Sequence, residues 1–456
     1  MNRKNMIRGG LVTVIALLIA AVPLLAACAP KEETVVPPEE QEEAAPPEEE
    51  KLVNVGISFS LTGPLSATSI PIIEGTLSYF DMINEEGGVA YKDPASGKTM
   101  HAKIDAMWAD DGYKMDNIIS NYTRFKDAGA ILFLHCSAGA DIALGDTARN
   151  DKLPLLHSAM LQCAYPKWPG DPPSNPPSWI VSTPPDYADT FAAFVDWVMD
   201  NWTEDRPPRL GFITVDNPFG TRIISETSLA YMEEKGMDYV GVEFYQPTDV
   251  DVMSQLRALD DKGADWVFHN YVWEGFCTVL KSASDLGLKD HMKFCSNIYF
   301  FNRRIADVVG QEVADGSYGL SFYADLDSDL PGVKLMKDQI LKRYPDSDLD
   351  EQHFTGFWLY GFGTVQGIKA ALEQVGYPIT GEDYMNGIFS ADGKGMWADT
   401  GGAIPPLDYN SNPKDATAIH KVRILQFQDG KQVTLTEDWL DTVPLSVEEY
   451  YEYYAK

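Results

Sequence analysis

The chain has 456 residues, with 36 Lys+Arg against 68 Asp+Glu, a formal net charge of −32 and 45% apolar residues. At roughly 150 residues per domain the length predicts two to three domains, and the apolar share is that of a folded core. A polyanion of this size repels phosphate backbones and anionic headgroups, which sets nucleic-acid binding aside.

The N-terminus reads as an export signal. Arg3, Lys4 and Arg8 precede an apolar stretch, Leu11 to Leu25, interrupted only by Thr13 and Pro23. The short apolar core and the small residues behind it predict a signal peptide over residues 1–27 rather than a membrane-spanning helix. Leu25-Ala26-Ala27-Cys28 resembles a bacterial lipobox, in which Cys28 would be lipidated and become the mature N-terminus. The alternative is an uncleaved anchor with an incidental cysteine. In both cases the body sits outside the cytoplasm, held to the envelope and facing the periplasm or the outer face of the cytoplasmic membrane. Residues 28–51 follow as a tether. Lys31 to Lys51 holds nine Glu and four Pro, too few apolar residues to fold. At about 3.1 Å per residue such a segment reaches roughly 60 Å.

The body alternates strands and helices. Leu52 to Ile57 reads as a strand and Glu74 to Glu86 as a helix stopped by Gly87-Gly88. Ile104 to Trp108 is a strand, Asn117 to Ala128 a helix, and Ile131 to His135 and Leu153 to His157 further strands. Thr190 to Trp202 is a helix with Phe191, Phe194, Val195 and Val198 on one face. The pattern then restarts with strand Arg209 to Val215, helix Thr221 to Lys235, strand Tyr239 to Tyr245 and helix Val250 to Lys262. Strand Trp266 to His269, helix Gly275 to Leu286 and strand Lys293 to Ser296 complete it. Such alternation predicts an α/β fold with parallel sheets covered by helices, and its repetition predicts two similar lobes. Gln352 to Gln374 reads as one long helix closed by Gly376. Lys421 to Phe427 and Gln432 to Thr436 flank Asp429-Gly430, a hairpin signal, and Pro405 to Thr417 reads as a crossing segment.

Four cysteines follow Cys28: Cys136, Cys163, Cys277 and Cys295. An exported compartment permits disulfides, and sequence proximity favours Cys136–Cys163 and Cys277–Cys295, against the alternative of four buried thiols. No cysteine or histidine spacing suggests zinc, and the reading requires no cofactor.

Val55-Gly56 followed by Leu61-Thr62-Gly63-Pro64, then Ile83-Asn84 and Gly87-Gly88-Val89, resembles the opening of solute-binding proteins of the leucine/isoleucine/valine-binding type. Asp216-Asn217-Pro218-Phe219-Gly220 is similar to that family's second-lobe turn. Ala283 to Leu288 and Ala370-Ala371-Leu372 with Gly376 fit as well, over about residues 52–440. The resemblance implies a Venus-flytrap fold: two doubly wound parallel-sheet lobes joined by three crossing strands, as in type I periplasmic binding proteins. Lobe I would take residues 52–180 and 321–405, and lobe II residues 181–320 and 418–456. It also implies a ligand cleft between them and delivery of the ligand to the permease and ATPase subunits of an ABC importer.

In parallel α/β sheets ligands sit beyond the carboxyl ends of strands, where helix N-termini suit a carboxylate. Ser137 and Ser158, the latter followed by Ala159, are therefore candidate ligand contacts, although serine before a helix also serves as an N-cap. The family's threonine is missing from Ser158-Ala159-Met160-Leu161. Its acid for the ligand ammonium is missing from Ser296-Asn297-Ile298-Tyr299, and Glu274 reads better as a solvated helix-start residue than as its substitute. Phe219, Tyr271, Trp273 and Tyr299 fall at or just after strand ends and favour an apolar or aromatic body. The expected ligand is thus a small organic solute, amino acid-like or an apolar or aromatic carboxylate or amide.

His135, His157 and His269 end strands, which suits hydrogen-bonded histidines better than a metal site. Asp325 to Asp329 lacks the later positions of a calcium loop, and Gly361-Phe362-Gly363 lies in a helix rather than after a strand. No GxSxG, HExxH, P-loop or SxxK motif supports an extracytoplasmic enzyme, and Asp110-Asp111 point to opposite sides of a strand end. A ligand-sensing receptor component remains the second alternative.

Overall fold

Short apolar runs closed by turn residues form the strands, and helices on the intervening polar stretches cover them. The computed structural model describes residues 50–157, 179–389, 396–409 and 417–446; Cys28, Ser158, Ala159 and Cys163 lie outside the described residues. Glu50–Lys456 form one compact unit. Its first sheet contains β1 (Leu52–Phe59), β2 (Val89–Lys92), β3 (Thr99–Asp110), β4 (Leu132–His135), β5 (Leu155–His157) and β6 (Ile180–Ser182), in the order β2-β3-β1-β4-β5-β6. All pairs are parallel except the hairpin of β2 on β3.

The second sheet contains β7 (Arg209–Val215), β8 (Asp238–Tyr245), β9 (Trp266–His269), β10 (Lys293–Ser296) and β11 (Tyr318–Ser321). After two short strands, β12 (Trp397–Ala398) and β13 (Leu407–Asp408), it is completed by β14 (Lys421–Gln428), β15 (Lys431–Thr434) and β16 (Leu440–Asp441). Its order is β15-β14-β11-β10-β9-β7-β8, with β16 on β14. Asp429 and Gly430 both adopt positive φ, 52° and 71°, between the paired Gln428 and Lys431. That is the geometry of a two-residue primed turn.

The helices that bear on the site are α1 (Ser66–Glu85), α2 (Met115–Asp127), α3 (Ala138–Asp151), α4 (Tyr187–Asn201), α5 (Glu226–Lys235), α6 (Met253–Asp261) and α7 (Trp273–Asp285). α1 begins at Ser66, not Glu74, and carries Pro71 inside. Its N-cap, Leu65, supplies no capping side chain, so the usual start signal is absent. The expected long helix spans Gln352–Val375, but Thr355–Phe362 wind with π-helical geometry. Glycine permits a close crossing there: a Cβ on Gly356 would stand 2.1 Å from the Ile72 carbonyl oxygen in α1.

The second-sheet core is aromatic. Phe191 of α4 packs on Phe212 and Phe268 at centroid distances of 5.2 and 5.0 Å. Crossing segments tie the lobes together: Ala418 N donates to the Thr183 carbonyl, Asp408 N to that of Ala418, and Ala324 N to that of Ala403. Cys277 and Cys295 are both free and buried, so the expected Cys277–Cys295 disulfide does not form. The Cys136–Cys163 pairing falls outside the described residues.

Candidate ligand cleft

In the first sheet β1 stands between β3 and β4, and in the second β7 stands between β8 and β9. Both are switch points, where successive connections leave in opposite directions and open a crevice at the strand ends. The residues that follow these strands line a cleft enclosing about 510 Å³ of atom-free space, part of it open to solvent.

One wall follows the first sheet. Leu65, Thr68, Ser69 and Ile72 line it, at the spacing of one helical face, so the first two turns of α1 look into the cleft. Cys136 and Ala138, after β4, and Tyr113, after β3, join them. Asp110 and Asp111 shape this wall. Asp110 accepts hydrogen bonds from Leu61 N, Thr62 N and Thr62 Oγ1, and Asp111 from Ser58 Oγ and Ser60 Oγ. The two acids therefore clamp the loop into α1.

The other wall is aromatic. Tyr187, the first residue of α4, lies beside Phe219, Val272, Tyr299 and Phe300. Tyr187 and Phe219 have ring centroids 5.6 Å apart, and Phe219 and Phe300 5.2 Å apart. Tyr299 has φ 73°, a left-handed conformation that is strained for a tyrosine and marks a residue held in place by its surroundings. Gln352 completes the lining. Among the described residues that line the cleft none is charged.

Of the sequence candidates, Phe219 and Tyr299 line the cleft, and Tyr271 and Trp273 do not. Tyr271 stands behind Phe219, with centroids 5.2 Å apart. Trp273 opens α7 and is buried beside Val272. Ser137 is buried between the lining residues Cys136 and Ala138, and its Oγ accepts from Ala140 N at 3.3 Å as the N-cap of α3. Glu274 is not a solvated residue. Burial, with Asp350 adding to it, pushes its carboxyl up to about 7, and its Oε2 has no partner. It does not line the cleft.

Tyr113, Tyr187 and Gln352 were missed. The Asp186 N-cap, accepting from Ala188 N at 2.7 Å, was a legible helix start that would have put Tyr187 at a helix N-terminus.

The histidines end strands as expected. His135 Nε2 lies 3.2 Å from Asp141 Oδ1, the His157 ring meets the other carboxylate oxygen, and the two imidazoles stack at 4.9 Å. Burial pushes the Asp141 carboxyl up, but His157 and His135 outweigh it and hold the group below its ordinary value. His269 instead meets the Tyr245 hydroxyl at 2.9 Å, and burial pushes it down to about 3. Among the described residues no group of three or more His, Cys, Asp or Glu side chains is arranged to hold a metal ion. No described helix is long and apolar enough to cross a membrane.

A family model described as a periplasmic binding protein matches residues 52–432. No curated protein sequence matches the chain. Among solved structures, a branched chain amino acid ABC transporter protein from Thermus thermophilus with bound valine superposes with TM-score 0.74 at 21% identity, covering 88% of this chain and 99% of that one. A substrate-binding ABC transporter protein from Aeropyrum pernix gives 0.73 at 17% identity, covering 88% and 98%. A fatty acid ABC transporter substrate-binding protein from Thermomonospora curvata gives 0.71 at 20% identity, covering 87% and 94%. At these identities the likeness is one of fold: two parallel-sheet lobes of the type I binding-protein kind.

Proposed function

Because the chain belongs to the periplasmic binding protein family, we propose that it is a lipid-anchored receptor that closes on a small organic solute and delivers it to an ABC importer. The observation that carries the ligand reading is the uncharged, aromatic lining of the cleft, with the N-terminal turns of α1 opposite it. A helix N-terminus favours a carboxylate or the oxygen of an amide, and rings accept a planar or apolar body. A ligand ammonium would find no carboxylate among the described lining residues, and a buried ammonium without one is costly. The solute is therefore a carboxylate or amide on an apolar or aromatic body, without an α-amino group. The neighbour described as binding fatty acid is a precedent for that chemistry on this fold.

Calorimetry with matched pairs tests this: phenylalanine against 3-phenylpropanoate, and leucine against 4-methylpentanoate. The deaminated partner is expected to bind about tenfold tighter, from one lost charge-assisted hydrogen bond and the desolvation of the ammonium. Tight, selective binding of the amino acids would overturn the reading. The anchor is tested separately: Cys28→Ser should move the protein to the soluble fraction, and complete retention on membranes would exclude lipidation at that residue.

A further inference from the structure

We propose that Gln352 sets the ligand class of the cleft, by presenting a carbonyl oxygen that only a donor on the ligand can satisfy, so that a neutral carboxamide head is preferred over a carboxylate. The inference rests on the solute-binding reading above and narrows it.

Gln352 lines the cleft and is 1% exposed. Its Nε2 donates to the Tyr299 carbonyl oxygen at 2.5 Å. That bond fixes the sense of the amide, because the flipped form would set two carbonyl oxygens against each other. Oε1 is then the end left over, and it has no partner among the described residues. A buried acceptor without a donor is a standing penalty of the unliganded site, and a ligand N–H removes it.

The side chain is also held. Gln352 N donates to Asp350 Oδ1 at 3.0 Å, Asp350 pairs with Arg304 at 3.0 Å, and Glu351 pairs with Arg303 at 3.1 Å. The backbone that carries Gln352 is therefore held, and its Nε2 is tied to the Tyr299 carbonyl oxygen.

Two further cleft-lining groups, Thr68 Oγ1 and Tyr299 Oη, are buried without partners. As hydroxyls they can donate or accept. A carboxamide offers a partner to each kind of group: its oxygen can accept from a hydroxyl such as Thr68 Oγ1 in α1, and its N–H can meet Gln352 Oε1. A carboxylate satisfies only the hydroxyls and brings its negative oxygens to a fixed acceptor. Among the described lining residues there is no cation to offset that repulsion.

Calorimetry on the purified full-length protein should compare 3-phenylpropanamide with 3-phenylpropanoate and 4-methylpentanamide with 4-methylpentanoate, in the wild type and in Gln352→Met. The amides are expected to bind about tenfold tighter than the acids in the wild type, the scale of one satisfied buried acceptor. In Gln352→Met the two should fall within about twofold of each other. A residue acting only through stability would weaken both and leave the ratio unchanged, which would overturn the assignment to Gln352. Carboxylates binding as tightly as amides in the wild type would overturn the inference alone. Binding of neither class would overturn the apolar-solute reading and this inference with it. The wild-type ratio decides the ligand preference even if the variant does not fold.

Discussion

The two walls of the cleft are built from the same parts and held by different forces. Each rests on a parallel sheet whose strands end in buried histidine, His135 on β4 and His269 on β9. Behind the first wall Asp141 sits between two imidazoles, and the loop into α1 is clamped by Asp110 and Asp111. Behind the second wall His269 meets no carboxylate among the described residues; it shares a hydrogen bond with Tyr245 and stacks on the Tyr245 and Phe276 rings. One wall is thus ordered through carboxylates, the other through packed rings and an amide network, in which Asn270 Nδ2 donates to the Phe219 carbonyl oxygen at 2.8 Å and Asn297 Nδ2 to that of Tyr187 at 3.2 Å. The ring-rich wall fits a ligand body by shape, and its few polar groups, Gln352 Oε1 and Tyr299 Oη, are the ones left to meet a ligand head.

Perturbations that distinguish charge from volume test this contrast. The largest expected effect is in the ring cluster. Phe212→Ala should cost about 3–5 kcal/mol in a denaturant titration, the scale of a large core deletion. A loss under about 1 kcal/mol would mean that the second wall collapses to fill space and is not held by volume. Asp141→Asn comes next. Shape is kept but the charge shared by two buried histidines goes, so about 3 kcal/mol should be lost. Asp141 has a folded value below its unfolded one. Its stabilisation is therefore present above about pH 4 and is lost as pH falls further. The asparagine variant should lack that acid-range loss.

His269 gives an effect that appears only in acid. Its folded value, about 3, lies below the ordinary value of a histidine. Below about pH 6.5 the unfolded chain takes up a proton that the folded one refuses. Stability should fall by up to about 1.4 kcal/mol per unit as pH drops from about 6.5 to 3. His269→Gln should flatten that component of the slope, and an unchanged slope would place the titration elsewhere. Glu274→Gln comes last. Glu274 is raised to about 7 by burial, so its ionised form weakens the fold as pH rises from about 4.3 through 7. The glutamine variant should be more stable at pH 8, by at most about 3.7 kcal/mol and by less because water partly screens the half-buried side chain, and indistinguishable from the wild type below about pH 4.

Where apolar runs were bounded by turn residues the sequence was sufficient: β7, β9 and β10 span the predicted residues. β6 was missed because three residues show no period, and β11 because Gly319 and Ser321 break up its apolar residues. The antiparallel β2 escaped because the reading took Gly87-Gly88 only as a helix stop. Phe219 and Tyr299 were found by the rule that ligands gather beyond strand ends. Tyr271 obeyed the same rule and stands one layer back, since the rule gives the end of the sheet but not the depth of a ring. Gln352 was out of reach of that rule. It starts a helix far along the chain and meets Tyr299 only through tertiary structure.

The pairing of β11 with β14 joins Ser321 to Arg423 and Tyr318 to Gln426. During synthesis the strands β7 to β11 emerge long before their last partner does. For that interval β11 presents an unpaired edge, a template for misassociation with other chains. The edge closes only when β14 arrives, about 100 residues later, which at 5–20 residues per second is some 5–20 s of translation. The topology that ties the crossing segments together in the finished molecule thus leaves the second sheet incomplete, and dependent on shielding, until almost the whole chain has been made.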